Sequence, residues 1–160
     1  MPTATSPVLL VASVLAGLQA GTYFTWATGV MPGLAKVDDR TFVSAVQQMN
    51  VAIVNPLFLT TFLGAPLVSG AAIAVAGPSA RPWAVAATVL AAGTVAITMA
   101  GNVPLNDALA AAGPVDRISD LASVRADFET RWVRLNAARC LTSAGALGSL
   151  AWAALRVRGG

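Results

Sequence analysis

The sequence predicts an all-α protein, a four-helix transmembrane bundle, and three observations predict it. Four apolar stretches, residues 7–30, 51–76, 83–101 and 137–155, run without a charge in their middles apart from Arg139. A hydrocarbon core roughly 30 Å thick is crossed by about 20 helical residues, so each stretch meets or nearly meets that length. Charged residues make up only 11% of the 160 residues, against about 25% in a soluble domain, and mean hydropathy is +0.71. The four stretches fill most of the chain, which predicts a single membrane domain over 1–160.

Composition narrows the chemistry. Histidine is absent and Cys140 is the only cysteine, which excludes histidine-ligated haem, histidine-built metal sites and an intrachain disulfide. The seven acids show no paired Glu-x-x-His pattern, and no metal or cofactor is expected. The net charge of +3 would suit nucleic acid, but the arginines form no basic run and are mixed with acids. Nucleic acid is therefore excluded as a partner, and the lipid bilayer is the expected surroundings.

The first stretch is too long for a signal-peptide core and lacks a basic leader, so it reads as a retained first helix. Met31-Pro32-Gly33 predicts its end. Asp38 or Asp39 then caps a second helix whose Phe42, Val46, Met49 and Ile53 recur at helical spacing, so that helix begins outside the membrane and runs into it, bent or locally opened at Pro56. The turn Gly77-Pro78-Ser79-Ala80-Arg81-Pro82 joins antiparallel neighbours. Helix 3 ends at Asn102-Val103-Pro104, and a polar connection from Asp107 to Glu129 follows, broken at Gly113-Pro114. From Ser123 the pattern is helical again and continues through helix 4. Helices 2 and 4 are thus expected to extend beyond the membrane on one side.

Both chain ends and the 77–82 turn share the other side, with Arg81, Arg156 and Arg158 and no acid. The raw count of Lys and Arg favours the opposite orientation, but the compact unopposed charges, with Arg131, Arg134 and Arg139 set aside for a site, predict cytoplasmic termini in a multi-pass protein of a bacterial inner membrane.

The polar residues left near the membrane converge. On helix 1, Gln19, Tyr23 and Trp26 share a face, with Thr22 beside them. They form either a packing stripe with interfacial aromatics or one wall of a pocket. Helix 2 brings Gln47, Gln48 and Asn50, then Asn55 next to Pro56, where the amide can satisfy backbone that proline frees. Asn102 and Asn106 flank Pro104 and can serve as caps. Helix 4 gives the sharpest pattern: Trp132, Asn136, Arg139 and Ser143 at spacings of four, three and four lie on one face. Arg139 either snorkels to the interface or faces the bundle to meet an acid or an anionic ligand. Arg131 and Arg134 are expected to pair with Asp127, Glu129 or Asp107 as surface charges. All these groups belong to one half of the bundle. Rimmed by Trp26, Trp132 and Phe58, they would hold a flat, largely apolar molecule.

Four motifs in order, Val30-Met-Pro-Gly-Leu34, Met49-Asn50 with Asn55-Pro-Leu-Phe58, Asn102-Val-Pro-Leu-Asn106, and Phe128 through Trp132, Asn136 and Arg139, resemble the anthrone oxygenase family, also called DUF1772. The resemblance spans helix 1 to helix 4 and implies a small four-helix membrane protein. Some fungal members oxidise a polyketide anthrone to an anthraquinone with molecular oxygen and no metal or flavin. On that reading Arg139 stabilises an enolate or peroxide anion. Asn50, Asn102 and Asn136 hydrogen-bond ring oxygens, and Trp26 and Trp132 stack on the rings. Asn55, Phe58 and Asn106 complete the binding surface, Asp107 is the base and Tyr23 an alternative proton relay. The leading expectation is a cofactor-independent oxygenase acting on a hydrophobic aromatic molecule. The rivals are a non-catalytic quinone or lipid binder or carrier, a structural or accessory subunit packed through Gly17-x-x-x-Gly21 and Gly145 to Gly148, and, less favoured, a channel or transporter; a homo-oligomer is a further expected partner.

Overall fold

Four long rods, antiparallel in succession, form the molecule in the computed structural model, which describes residues 5–158. Four helical segments are long and apolar enough to cross a membrane: Ser6–Leu34, Pro56–Val75, Arg81–Ala111 and Leu121–Val157. The first rod contains α1 (Thr5–Thr25), a π turn (Trp26–Val30) and α2 (Met31–Leu34). After it come α3 (Asp39–Ala52), α4 (Pro56–Val75) and α5 (Arg81–Ile97). A second π turn (Thr98–Asn102) carries α5 into α6 (Val103–Ala111), and α7 (Leu121–Arg158) closes the chain.

Three boundaries differ from the sequence expectation, each for a local reason. The first and third rods do not stop at Met31-Pro32-Gly33 and Asn102-Val103-Pro104 but run on to Leu34 and Ala111. In both, a five-residue π turn comes just before the proline, and the proline occupies the first turn of the next α segment, where a missing N–H breaks no helical bond. The second helix is not one bent rod. Asn55 leaves helical geometry, accepts from Phe58 N at 3.0 Å and donates to Ala52 O at 3.0 Å, so that α3 ends and α4 begins. Helix 4 is unbroken, 38 residues or about 57 Å at 1.5 Å per residue, and extends well past a bilayer.

α3 begins at an Asp38 cap, whose carboxylate accepts from Thr41 N at 3.0 Å and from Thr41 Oγ1 at 2.7 Å. Its Phe42, Val43 and Val46 are fully buried against α6 and the outer part of α7. Arg125 ties the preceding loop down: it pairs with Asp39 at 3.0 Å and Glu129 at 2.7 Å, donates to the Val37 and Ala35 carbonyls, and lies over the Phe42 ring. Glu129 thus pairs with Arg125 and not with Arg131 or Arg134, because the i,i+4 spacing on α7 brings Arg125 alongside it.

The rods pack in a ring, α1 on α4, α4 on α5, α5 on α7 and α7 on α1. One end of the core is nearly all alanine: Ala12, Ala16, Ala72, Ala76, Ala84, Ala87 and Ala153 with Leu9 and Leu150. Small side chains let helix backbones approach closely, which is how helices associate where no hydrophobic driving force separates them from lipid. The other end is aromatic and bulky, with Met31, Phe42, Leu105, Leu109, Phe128 and Trp132. Leu10, Leu18, Leu67, Val89 and Leu141 point outward, as lipid-facing residues do. Between the two cores lies a layer of buried polar side chains.

Candidate functional site

α7 supplies the centre of that layer. Trp132, Asn136, Arg139 and Ser143 are all buried, as their shared helix face requires. Arg139 does not snorkel; it is 6% exposed and points into the bundle. One Nη2 hydrogen bond goes to Asn136 Oδ1 at 2.9 Å, and the guanidinium carbon lies 4.6 Å from the Tyr23 ring centroid and 5.0 Å from that of Trp132. Two aromatic faces thus hold the cation, an attraction of roughly 2 kcal/mol or more when desolvated. Among the described residues no acid pairs with it, and Nε has no hydrogen-bond partner.

Asn136 links α7 to α1, donating from Nδ2 to the Tyr23 carbonyl at 3.1 Å, just upstream of the first π turn. Trp26 opens that π turn and packs against Trp132 at 5.1 Å between ring centroids. Trp132 stacks on Phe128 and donates from Nε1 to Asn106 Oδ1 at 3.0 Å, which fixes the indole against α6. Among the described residues six buried side-chain polar atoms find no hydrogen-bond partner: Gln19 Oε1, Tyr23 Oη, Asn50 Nδ2, both amide atoms of Asn102, and Arg139 Nε. Buried polar groups are nearly always hydrogen-bonded, so such a concentration in one half of a small bundle calls for an explanation. Asn102 is 0% exposed and ends the second π turn; Thr98, at the start of that turn, lies beside Tyr23.

The remaining sequence candidates fall outside this group. Asp107 is exposed on α6 and forms no ion pair among the described residues. Asn55 is exposed and spends both amide atoms on the α3–α4 junction. Phe58 stacks on Phe62 of its own helix at 5.5 Å. Gln47 ties α3 to the Leu109 and Gly113 carbonyls, while Gln48 is exposed. No three His, Cys, Asp or Glu side chains gather among the described residues.

Sequence reasoning passed over Thr94 and Thr98, buried on α5 and its π turn. The signal was present: Thr94, Thr98, Asn102 and Asn106 recur every four residues. A threonine in an apolar helix donates to its own backbone, as Thr98 does to Thr94 O at 2.8 Å, and so reads as lipid-compatible. Gln19, read only as part of a helix-1 face, donates to Thr61 Oγ1 at 2.6 Å and binds α1 to α4.

A sequence model of the family described as anthrone oxygenase matches residues 48–149, well over half of the chain. The chain belongs to the anthrone oxygenase family. Neither a curated protein nor a solved structure matches it at a significant level. The anthrone oxygenase match takes in Asn50, Asn102, Asn106, Trp132, Asn136 and Arg139 and leaves out Gln19, Tyr23 and Trp26. In this anthrone oxygenase family member the polar layer therefore draws on both the matched segment and the α1 rod that precedes it.

Proposed function

We propose that this protein oxidises an anthrone-like, flat and largely apolar molecule to the corresponding quinone, using dioxygen, at the polar layer around Arg139. The single observation that carries the reading is Arg139 itself: a guanidinium buried among aromatic rings with no acid beside it. An uncompensated charge at that depth is costly, and such residues in spanning helices mark sites by default. A site that lacks its own anion is suited to an anion that forms in the reaction.

The chemistry then follows from the substrate. Loss of one proton from the anthrone methylene gives an enolate, which passes an electron to dioxygen. Carbon–oxygen bond formation between the resulting radical and superoxide gives a peroxide anion at the former methylene, which takes back the proton lost in the first step to become a hydroperoxide. Loss of the remaining methylene hydrogen with cleavage of the O–O bond leaves a carbonyl and water. Anthrone plus dioxygen thus gives anthraquinone plus water, and no further reductant is needed. Arg139 stabilises the enolate and peroxide oxygens. Asn50 and Asn102, whose amides have unpartnered atoms, direct them to ring oxygens, Asn136 holds the guanidinium in place through its Oδ1, and Trp26 and Trp132 lie against the rings. Tyr23 relays the proton; its hydroxyl is buried within the layer, beside Thr98, which makes it the better candidate than Asp107, which stands outside the layer.

A non-catalytic binder is the second reading, favoured by the want of an ordinary base in the layer, since the chain has no histidine and Asp107 is exposed. Oxygen consumption by the purified protein with a simple anthrone separates the two. The wild type should consume oxygen above the spontaneous rate. Arg139→Ala should lower kcat/KM by about 10²–10³-fold, the effect of removing one oxyanion donor. Arg139→Lys, which keeps the charge but not the planar fork, should fall between them. An Arg139→Ala variant as active as the wild type would remove the site; no uptake by the wild type, with the anthrone still bound, would establish the binder. The protein is further proposed to be a multi-pass protein of a bacterial inner membrane with both termini cytoplasmic.

A further inference from the structure

One helical turn from the Arg139 and Tyr23 layer, toward the alanine end, lies a crevice at the centre of the bundle. All four spanning helices line it, through Ala16 and Gln19 on α1, Phe62, Ala65 and Pro66 on α4, Ala91, Thr94 and Val95 on α5, and Ser143 and Ala146 on α7. The space open to the centre of a water-sized sphere is about 10 Å³, room for one molecule of two or three atoms. Eight of the ten lining residues are buried; Pro66 and Val95 are half-buried and belong to the adjacent helices α4 and α5. The least covered part of its wall, and so its nearest mouth, therefore lies between those two adjacent helices, on the side that faces the hydrocarbon.

We infer that this crevice is a dioxygen-binding site that is filled laterally from the bilayer. The inference rests on the oxygenase reading above and adds where the second substrate waits. Size admits a diatomic molecule and excludes a ring. The Thr94 and Ser143 hydroxyls already donate to the Leu90 and Arg139 carbonyls, and alanine, phenylalanine, proline and valine make up most of the wall. Apolar cavities take up apolar gases, and dioxygen is more soluble in hydrocarbon than in water. Ser143, Gln19 and Thr94 each stand four residues from Arg139, Tyr23 and Thr98, so a molecule leaving the crevice travels about 6 Å, one turn, to the layer where an enolate would sit. Gln19 Oε1 is the one unpartnered polar atom on the wall, and it defines the rival occupant, a single ordered water.

Val95→Phe narrows the mouth at a half-buried position and Ala146→Leu fills the interior. Each is assayed for the KM of dioxygen and the KM of the anthrone, and xenon NMR of the detergent-solubilised protein reports gas binding without turnover. A several-fold rise in the KM for dioxygen in both variants, with the KM for the anthrone unchanged, is the expected result. An unchanged dioxygen KM in both, for a wild type that turns over, overturns the site. Should Ala146→Leu fail to fold, Val95→Phe carries the kinetic test alone. If the wild type consumes no oxygen, the oxygenase reading fails by itself and xenon decides the crevice. Xenon uptake lost on filling sustains a gas-sized apolar site; absence of uptake, as a water on Gln19 would produce, refutes it.

Discussion

At the scale of single residues, the polar layer trades stability for readiness. A buried donor or acceptor without a partner costs about 1–3 kcal/mol, and Asn102 carries two such atoms while fully enclosed. Asn102→Leu, close to the same volume without the amide, should therefore raise resistance to thermal unfolding in detergent by about 1–2 kcal/mol while lowering anthrone turnover. A drop in stability instead would mean that the amide is satisfied and structural. Arg139 poses the same opposition more sharply, and sequence reasoning could see it: the spacing of Trp132, Asn136, Arg139 and Ser143 put them on one face. Spacing could not choose between an arginine that snorkels and one that turns inward. That choice depends on Tyr23 and Trp132 arriving from two helices to cover the guanidinium.

At the scale of elements, the spanning rods were legible because about twenty apolar residues have few alternatives to a membrane helix. Their ends were less so. Pro32 and Pro104 read as stops, yet a π turn before each shifts the hydrogen-bond register and lets the helix pass; that depends on backbone geometry that no side-chain pattern encodes. Pro56 read as a bend or a local opening; the Asn55 side chain carries the opening to a true boundary and frees α3 to pack separately. The α3 cap gives a pH prediction. The Thr41 backbone N–H bonded to Asp38, together with the Thr41 hydroxyl, holds that carboxyl below its usual range. A carboxylate favoured in the folded state stabilises α3 at neutral pH, and the benefit is lost as pH falls through its lowered value. Amide exchange in the first turn of α3 should therefore speed up, beyond its intrinsic pH trend, under acid. Asp38→Asn, which keeps a capping oxygen without the charge, should flatten that dependence.

At the scale of the molecule, the described residues place two kinds of basic end. Arg81 and Arg156 lie at the alanine end, with Arg156 over Trp152 and Trp152 edge-on to Trp83 at 5.9 Å, an arrangement that suits a membrane interface. The Arg158 side chain, counted with them in the sequence, lies outside the described part. The other end carries all seven acids along with its arginines. In a Cys140→Ser background, Ser79→Cys should resist an impermeant thiol reagent added to intact cells, and Arg117→Cys should react. The reverse pattern would invert the proposed orientation. Cys140→Ser itself should leave turnover unchanged, since a lone half-buried thiol among apolar neighbours is packing.

The alanine seam has a further consequence. Methyl groups in van der Waals contact carry no directional bonds, so the alanine seam sets how closely the helices approach more than which residues face one another. Within the spanning core the directional bonds of the middle layer, Gln19 to Thr61, Thr94 to Thr142, Asn136 to the Tyr23 carbonyl, favour one alignment of the rods over its neighbours. The place where a substrate would react is thus also the index mark that keeps the four helices in phase.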